Sequence, residues 1–190
     1  MTETSAKGPV IAVVGPSGVG KDSLMEALAA GDQNLCLMRR VVTRAPEAGG
    51  EDYDAVSEGA FSKLVEEGHF ALHWSAHGLH YGIPHQINAL RAEGRGVLVN
   101  LSRAVLLQAQ EIFGDVIVLS VTARPEVLAE RLTQRGREDS AEVQRRLARA
   151  RQPLPAGLRR LHQIDNSGDL QQAVAAARAA IYATAAPERG

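Results

Sequence analysis

Cysteine is almost missing from this chain. One residue, Cys36, among 190 excludes an intrachain disulfide framework and a four-cysteine zinc site. No apolar run approaches the roughly 18 residues of a membrane-spanning helix. Residues 1–7 carry no hydrophobic signal-peptide core. Lysine is scarce as well: Lys7, Lys21 and Lys63 are the only three, and arginine supplies the other cations. Nor is there the basic excess of a nucleic-acid binder, because 21 Lys+Arg face 22 Asp+Glu for a formal net charge of −1. What remains is ordinary globular usage, 45% hydrophobic and 23% charged. A chain of this length buries roughly 70% of its extended surface without staples. The expectation is a cytoplasmic α/β protein acting on small molecules as a monomer or homodimer, with neither nucleic-acid nor membrane partners.

Charge is uneven along the chain. Residues 124–160 hold 10 arginines against 5 acidic residues, a net of +5, whereas residues 1–123 carry a net of −5. The basic stretch is either an anion-binding element or a salt-bridged helical surface.

Periodicity supplies the framework. Val10-Ile11-Ala12-Val13-Val14 is a continuous β-branched run and reads as a buried parallel strand. Val97 to Asn100 and Val116 to Val121 read as further core strands, and His162 to Asp165 as the last. Leu35 to Thr43 is expected to form one strand and Phe70 to Ser75 a short one, with Arg44 to Asp54 a polar connection. Helices are expected over Asp22–Ala30, Gly59–Gly68, Pro84–Ala92, Ser102–Ile112 with Ser102 as cap, from Pro125, over Ser140–Arg151 and over Leu170–Ala183. Strands alternating with helices imply a mostly parallel sheet covered on both faces. Residues 40–90 and 135–155 fit the alternation less well and read as excursions from the sheet, one for an acceptor and one a lid.

The chemistry starts at Gly15-Pro16-Ser17-Gly18-Val19-Gly20-Lys21, between a predicted strand and a predicted helix. Closely spaced glycines let backbone N–H groups turn inward around phosphate oxygens, and the helix start adds orphan donors and a favourable dipole end. Lys21 reaches the β- and γ-phosphates of a nucleotide. Ser or Thr usually follows the lysine and supplies a hydroxyl to magnesium; here Asp22 and then Ser23 stand there. Asp22 is read as a magnesium ligand, direct or through water, and the alternative is an early-helix acid that repels phosphate.

The run from Gly15 through Asp22-Ser23-Leu24 resembles the guanylate-kinase-like family of P-loop kinases. Thr43-Arg44, Trp74 to Gly82, Val99 to Ala104, Arg131-Leu132 and Arg135-Gly136-Arg137-Glu138 extend the likeness over about residues 9–175. Within the family the chain is similar to the branch, from bacterial phosphonate degradation, that phosphorylates ribose 1,5-bisphosphate. The resemblance implies a three-layer α/β/α P-loop NTPase fold with a parallel central sheet, as a single domain over residues 8–185. It also implies ATP and Mg2+ as cofactors. Guanylate kinases read their base with a serine, a glutamate and an aspartate; the matching places here hold Arg40, Leu72 and Ser102. A leucine accepts nothing from guanine, and each donor left unpaired in a closed site costs about 1–3 kcal/mol. A base-free phosphate ester therefore fits the acceptor side better than guanosine monophosphate, which stays as the alternative.

By the same resemblance, Arg40, Arg44, Tyr53 and Tyr81 are expected to bind the acceptor. Arg39 has the same charge as Arg40, but strand alternation lets only one of them face the site. His77, with His80, is read as a donor to acceptor phosphate or hydroxyls, Asn100 as orienting acceptor or metal water, and Trp74 as core. His73, His77, His80 and His85 cluster, but no helical spacing makes them a zinc site. Lys21 with the lid residues Arg135 and Arg146 is expected to act on the transferring group, and Arg137 on the nucleotide. The Asn166 region resembles the adenine-side loop.

Overall fold

The computed structural model describes residues 7–45, 53–134 and 153–183. The β-branched run is β1 (Val10–Val14), and every side chain in it is buried. It can be buried on both faces because it lies in the middle of a five-stranded sheet. The neighbours are β7 (Gly96–Asn100) on one side and β8 (Val116–Thr122) on the other. β2 (Leu35–Leu37) and β9 (Arg160–Asp165) form the edges. Each pairing is parallel.

Alternation along the strands divides the core in two. Ile11, Val13, Leu98, Ile117 and Leu119 pack under helices α1 (Lys21–Ala30), α5 (Pro125–Gln134) and α6 (Leu170–Tyr182). Val10, Ala12, Val97, Val99, Val116 and Val118 face the other way, against α4 (Leu106–Phe113) and Ile87 of α3 (Gln86–Ala92). A buried Val, Leu or Ile is worth roughly 1.5–3 kcal/mol, so the alternation of these strands holds three layers together. This is the α/β/α arrangement expected from the sequence. Among the described residues no helix is long and apolar enough to cross a membrane.

A second sheet of four strands, in the order Tyr53–Ala55 (β4), Arg40–Val42 (β3), Leu79–Pro84 (β6) and Phe70–Ala76 (β5), carries residues Arg40 to Pro84. It corrects three expectations. The expected single strand Leu35–Thr43 is two: β2 stays in the large sheet, and β3 (Arg40–Val42) pairs parallel with β4 (Tyr53–Ala55) and antiparallel with β6 (Leu79–Pro84). The chain leaves the large sheet after Met38, whose N–H still bonds Leu98 at 2.9 Å; no glycine or proline marks the exit. The end of the expected polar connection is strand β4. Finally, β5 (Phe70–Ala76) has a partner the sequence reading left out, β6, joined through a two-residue turn in which His77 and Gly78 have φ of 54° and 74°. Positive φ at both turn residues matches the right-handed twist of a hairpin.

Helix α2 (Glu58–Glu66) is capped by Ser57, whose hydroxyl accepts from the Ala60 N–H at 3.2 Å. Ser102 does not cap its helix. A 3-10 turn, Arg103–Val105, intervenes before α4, and the Ser102 side chain makes no cap bond. The expected helix Ser140–Arg151 lies outside the described residues.

Candidate active site

In open parallel sheets ligands bind beyond the carboxyl ends of the strands, where neighbouring connections diverge. Here β1, β7, β8 and β9 all end at the same edge. β1 leads into the glycine-rich loop, β7 into Asn100 and Ser102, and β9 into Asn166. The loop lies tight against the sheet: a Cβ on Gly15 would sit 2.5 Å from the Val121 carbonyl oxygen. Val19 is fully buried beneath it. Lys21 folds back over the loop, its ammonium donating to the carbonyls of Gly15 at 3.0 Å and Pro16 at 3.1 Å. That posture holds a cation above the first turn of α1, whose N–H groups have no helical partner of their own. Ser17 is exposed at the tip, Gly18 and Gly20 have φ of 82° and 90°, and Ser23 points outward.

Asp22 lies in that first turn. Its Oδ1 is buried with no hydrogen-bond partner among the described residues. An orphaned buried acceptor costs about 1–3 kcal/mol, and a carboxylate oxygen is the donor type that a hard divalent cation takes.

Arg40 stands on the acceptor side. It is 8% exposed, and its guanidinium lies 5.0 Å from the ring centre of Tyr81 and 6.0 Å from that of Trp74. The two rings stack on each other at 5.3 Å and 11°. The indole Nε1 donates to the Ser102 hydroxyl at 2.8 Å, which ties the small sheet to the end of β7. Burial pulls the Arg40 guanidinium down to about 10; Tyr81 and then Asp22 oppose the shift, and the charge of Arg44 adds to it. The group is still cationic at neutral pH, and a desolvated cation on an aromatic face gains about 2 kcal/mol. Arg39 is exposed and spends its charge on Asp54, at 3.5 Å. Alternation thus sends Arg40 inward and Arg39 to solvent.

Arg44 lies with its guanidinium 5.9 Å from the Tyr53 ring centre, and the Tyr53 hydroxyl donates to the Ala45 carbonyl at 2.7 Å. Arg44, Thr43, Ser57 and Glu58 help to line a hollow of about 410 Å³. Thr43 locks the end of β3 to β6, its hydroxyl accepting from the His80 N–H at 2.9 Å. Asn100, 9% exposed, ends β7 beside Val13.

Lys21, Asp22 and Asn100 thus lie at the carboxyl ends of β1 and β7, and Arg40 feels the charges of Tyr81, Asp22 and Arg44, with Tyr53 beside Arg44. His77 occupies the exposed two-residue turn of the β5–β6 hairpin. His80 is engaged within the small sheet, stacked on Phe61 at 5.5 Å and bonded to Ser75 at 2.7 Å. Among the described residues no group of three or more His, Cys, Asp or Glu side chains gathers. Arg135, Arg137 and Arg146, with the expected lid, lie outside the described residues.

Sequence reasoning treated Trp74 as core and Ser102 as a cap, so it missed the indole–hydroxyl link between them. A period-2 strand pattern places Trp74 inward but carries no trace of a partner 28 residues away. Leu72 is 1% exposed in the core cluster that holds Ile83 and Ile87, and it offers the site no acceptor.

A family model described as guanylate kinase matches residues 7–177. A protein named ribose 1,5-bisphosphate phosphokinase PhnN from Ruegeria sp. (strain TM1040) is 69% identical over 178 residues, covering 94% of each chain. One with the same name from Azotobacter vinelandii is 47% identical over 171 residues, covering 87% of this chain and 91% of its own. Among solved structures, a guanylate kinase from Anaplasma phagocytophilum matches with a TM-score of 0.59 at 18% identity, over 90% of this chain and 82% of that one. At that identity the likeness bears on the fold alone.

Proposed function

The chain belongs to the guanylate kinase family, and from there we propose that it is a ribose 1,5-bisphosphate phosphokinase. It transfers the γ-phosphoryl group of ATP to the 1-phosphate of ribose 1,5-bisphosphate, giving 5-phospho-α-D-ribose 1-diphosphate and ADP. The observation that carries this reading is the Arg40 guanidinium, buried on the Tyr81–Trp74 pair, in a site where Leu72 is sealed in the core. That chemistry grips an anion and offers nothing to the edge of a base.

The attacking atom is a phosphate oxygen, already anionic at neutral pH, so no general base is required. The protein's work is alignment, charge neutralisation and exclusion of water. The glycine-rich loop, Gly15 to Gly20, and the first turn of α1 hold the nucleotide phosphates by their N–H groups. Lys21 leaves the Gly15 and Pro16 carbonyls, which keep its ammonium poised over the loop, for the β- and γ-phosphate oxygens. Arg40, Arg44 and Tyr81 hold the acceptor, with Tyr53 bracing Arg44 and Asn100 closing the edge. Asp22 fits a magnesium ion, because its orphaned Oδ1 lies beside the phosphate cradle with no other donor. Bound magnesium would neutralise charge on the β- and γ-phosphates. Arg135, Arg137 and Arg146 take their proposed part, neutralising the transferring group, from the family likeness alone.

Initial rates of ADP formation with ribose 1,5-bisphosphate and with guanosine monophosphate test the assignment. A large preference for the sugar bisphosphate is expected. Comparable or faster turnover of the nucleotide would make the chain a nucleoside monophosphate kinase.

A further inference from the structure

Two side chains reach the glycine-rich loop from outside, and both converge on one atom. The Val19 carbonyl oxygen accepts from Asn166 Nδ2 at 2.7 Å and from the Arg131 guanidinium at 3.3 Å. Asn166 is 4% exposed and is itself fixed. Its backbone N–H donates to Thr122 at 2.8 Å. The turn that carries it is closed by the Asp165 carboxylate, which accepts from the Ser167 N–H at 2.9 Å and also from the Ser167 hydroxyl. The Ser167 hydroxyl in turn accepts from the Arg124 N–H at 2.7 Å. The end of β9 and the start of α5 thus aim one amide group at one carbonyl.

The effect on the loop follows from the peptide plane. The bond between Val19 and Gly20 is trans, so its C=O and N–H point in opposite directions. A carbonyl drawn out toward Asn166 turns the Gly20 N–H away from Asn166, to the inner side of the loop. No acceptor for that N–H is found among the described residues. Gly20 has φ 90° and ψ 29°, and a Cβ there would lie 2.6 Å from Asn166 Nδ2. The bare position is what lets the carboxamide approach. It is also what would let the peptide turn over if nothing held it, since glycine meets little steric penalty on either side of φ.

We propose that Asn166 is a positioning residue of the phosphate loop: it holds the 19–20 peptide so that the Gly20 N–H faces the phosphate chain of the nucleotide. This rests on the nucleotide-phosphate reading of the loop and adds what keeps that loop preorganised before the nucleotide arrives. The other use of an asparagine at this place is contact with the nucleotide base through the Oδ1 and second N–H that the Val19 bond leaves over, and comparing tripolyphosphate with ATP separates the two.

Asn166→Asp tests it, because aspartate has the same size but no donor for the carbonyl. Asn166→Ser, shorter and unable to span the gap, covers the case in which the aspartate disturbs folding. Calorimetry with inorganic tripolyphosphate and with ATP, alongside steady-state kinetics, separates the outcomes. Both ligands should bind about tenfold or more weakly to the variants, with the acceptor KM close to wild type and the ligand-free melting temperature lower only by what the lost buried bond accounts for, about 1–3 kcal/mol. Tripolyphosphate affinity equal to wild type would overturn the proposal, and a loss confined to ATP would place Asn166 on the base. If the wild-type protein itself bound neither ligand, the phosphate-loop reading would fall, and this inference with it. If the wild type binds both and the variants do also, the inference alone falls.

Discussion

Trp74 and Ser102 meet at 2.8 Å, indole Nε1 to hydroxyl, and that bond ties the four-stranded sheet to the residues that follow β7. Through it the aromatic pair beneath Arg40 is held against the edge where the glycine-rich loop begins. Trp74→Phe keeps a ring to stack on Tyr81 but removes the donor. The expected loss is about 1 kcal/mol of stability in denaturant titration, together with a several-fold rise in acceptor KM and no change in ATP KM. An unchanged acceptor KM would show that the link only supports the fold.

Arg40→Met keeps much of the apolar stem and removes the buried charge. Loss of a desolvated cation facing an anionic ligand costs about 2–5 kcal/mol, so kcat/KM for the acceptor should fall by roughly 100-fold or more. The ATP KM should hold.

Lys21→Ala should lower turnover by roughly 10²–10³-fold or more, the scale for deleting one preorganised charge at a transition state. The circular dichroism spectrum should not change, because the Gly15 and Pro16 carbonyls that the lysine meets belong to the half-buried loop and not to a helix or strand.

Asp22→Asn tests the orphaned oxygen directly. If Oδ1 serves a divalent cation, the magnesium concentration for half-maximal rate should rise by about tenfold. If the carboxylate only repels phosphate, the variant should bind ATP more tightly with its magnesium dependence unchanged.

Away from the site, the Tyr182 hydroxyl donates to Asp32 at 2.6 Å and ties the end of α6 to the end of α1. The bond from Tyr182, then that from the Asn34 N–H, holds the Asp32 carboxyl below its ordinary value of 3.8. A carboxyl with a depressed folded value contributes stability above its unfolded value and loses it as pH falls through the folded one. The difference in melting temperature between wild type and Tyr182→Phe should therefore be present at about pH 6 and narrow toward about pH 3.

The central strands of the large sheet, β1, β7 and β8, were legible because they are buried on both faces and so read as nearly unbroken apolar runs, as Val10–Val14 does. The phosphate loop was legible because its residue types are dictated by local backbone geometry. The small sheet was not. The exit at Met38 has no turn residue, β4 is three residues long, and β6 mixes Leu79, His80, Tyr81 and Gly82 without a clean period. The site followed the same division. Arg40 could be told from Arg39 by alternation and resemblance, whereas the Trp74–Ser102 and Asn166–Val19 bonds span 28 and 147 residues and leave no local pattern. His77 stands out by residue type alone, which gives no sign of the positive-φ turn that carries it.

The most direct measurement is a phosphorus NMR spectrum of the product formed from ribose 1,5-bisphosphate, ATP and magnesium with the purified protein. The account predicts a new pair of coupled diphosphate resonances on the sugar's first carbon, rising as ADP appears and absent with Lys21→Ala. Release of inorganic phosphate with no sugar diphosphate, or a phosphorylated product only when guanosine monophosphate replaces the sugar, would contradict it.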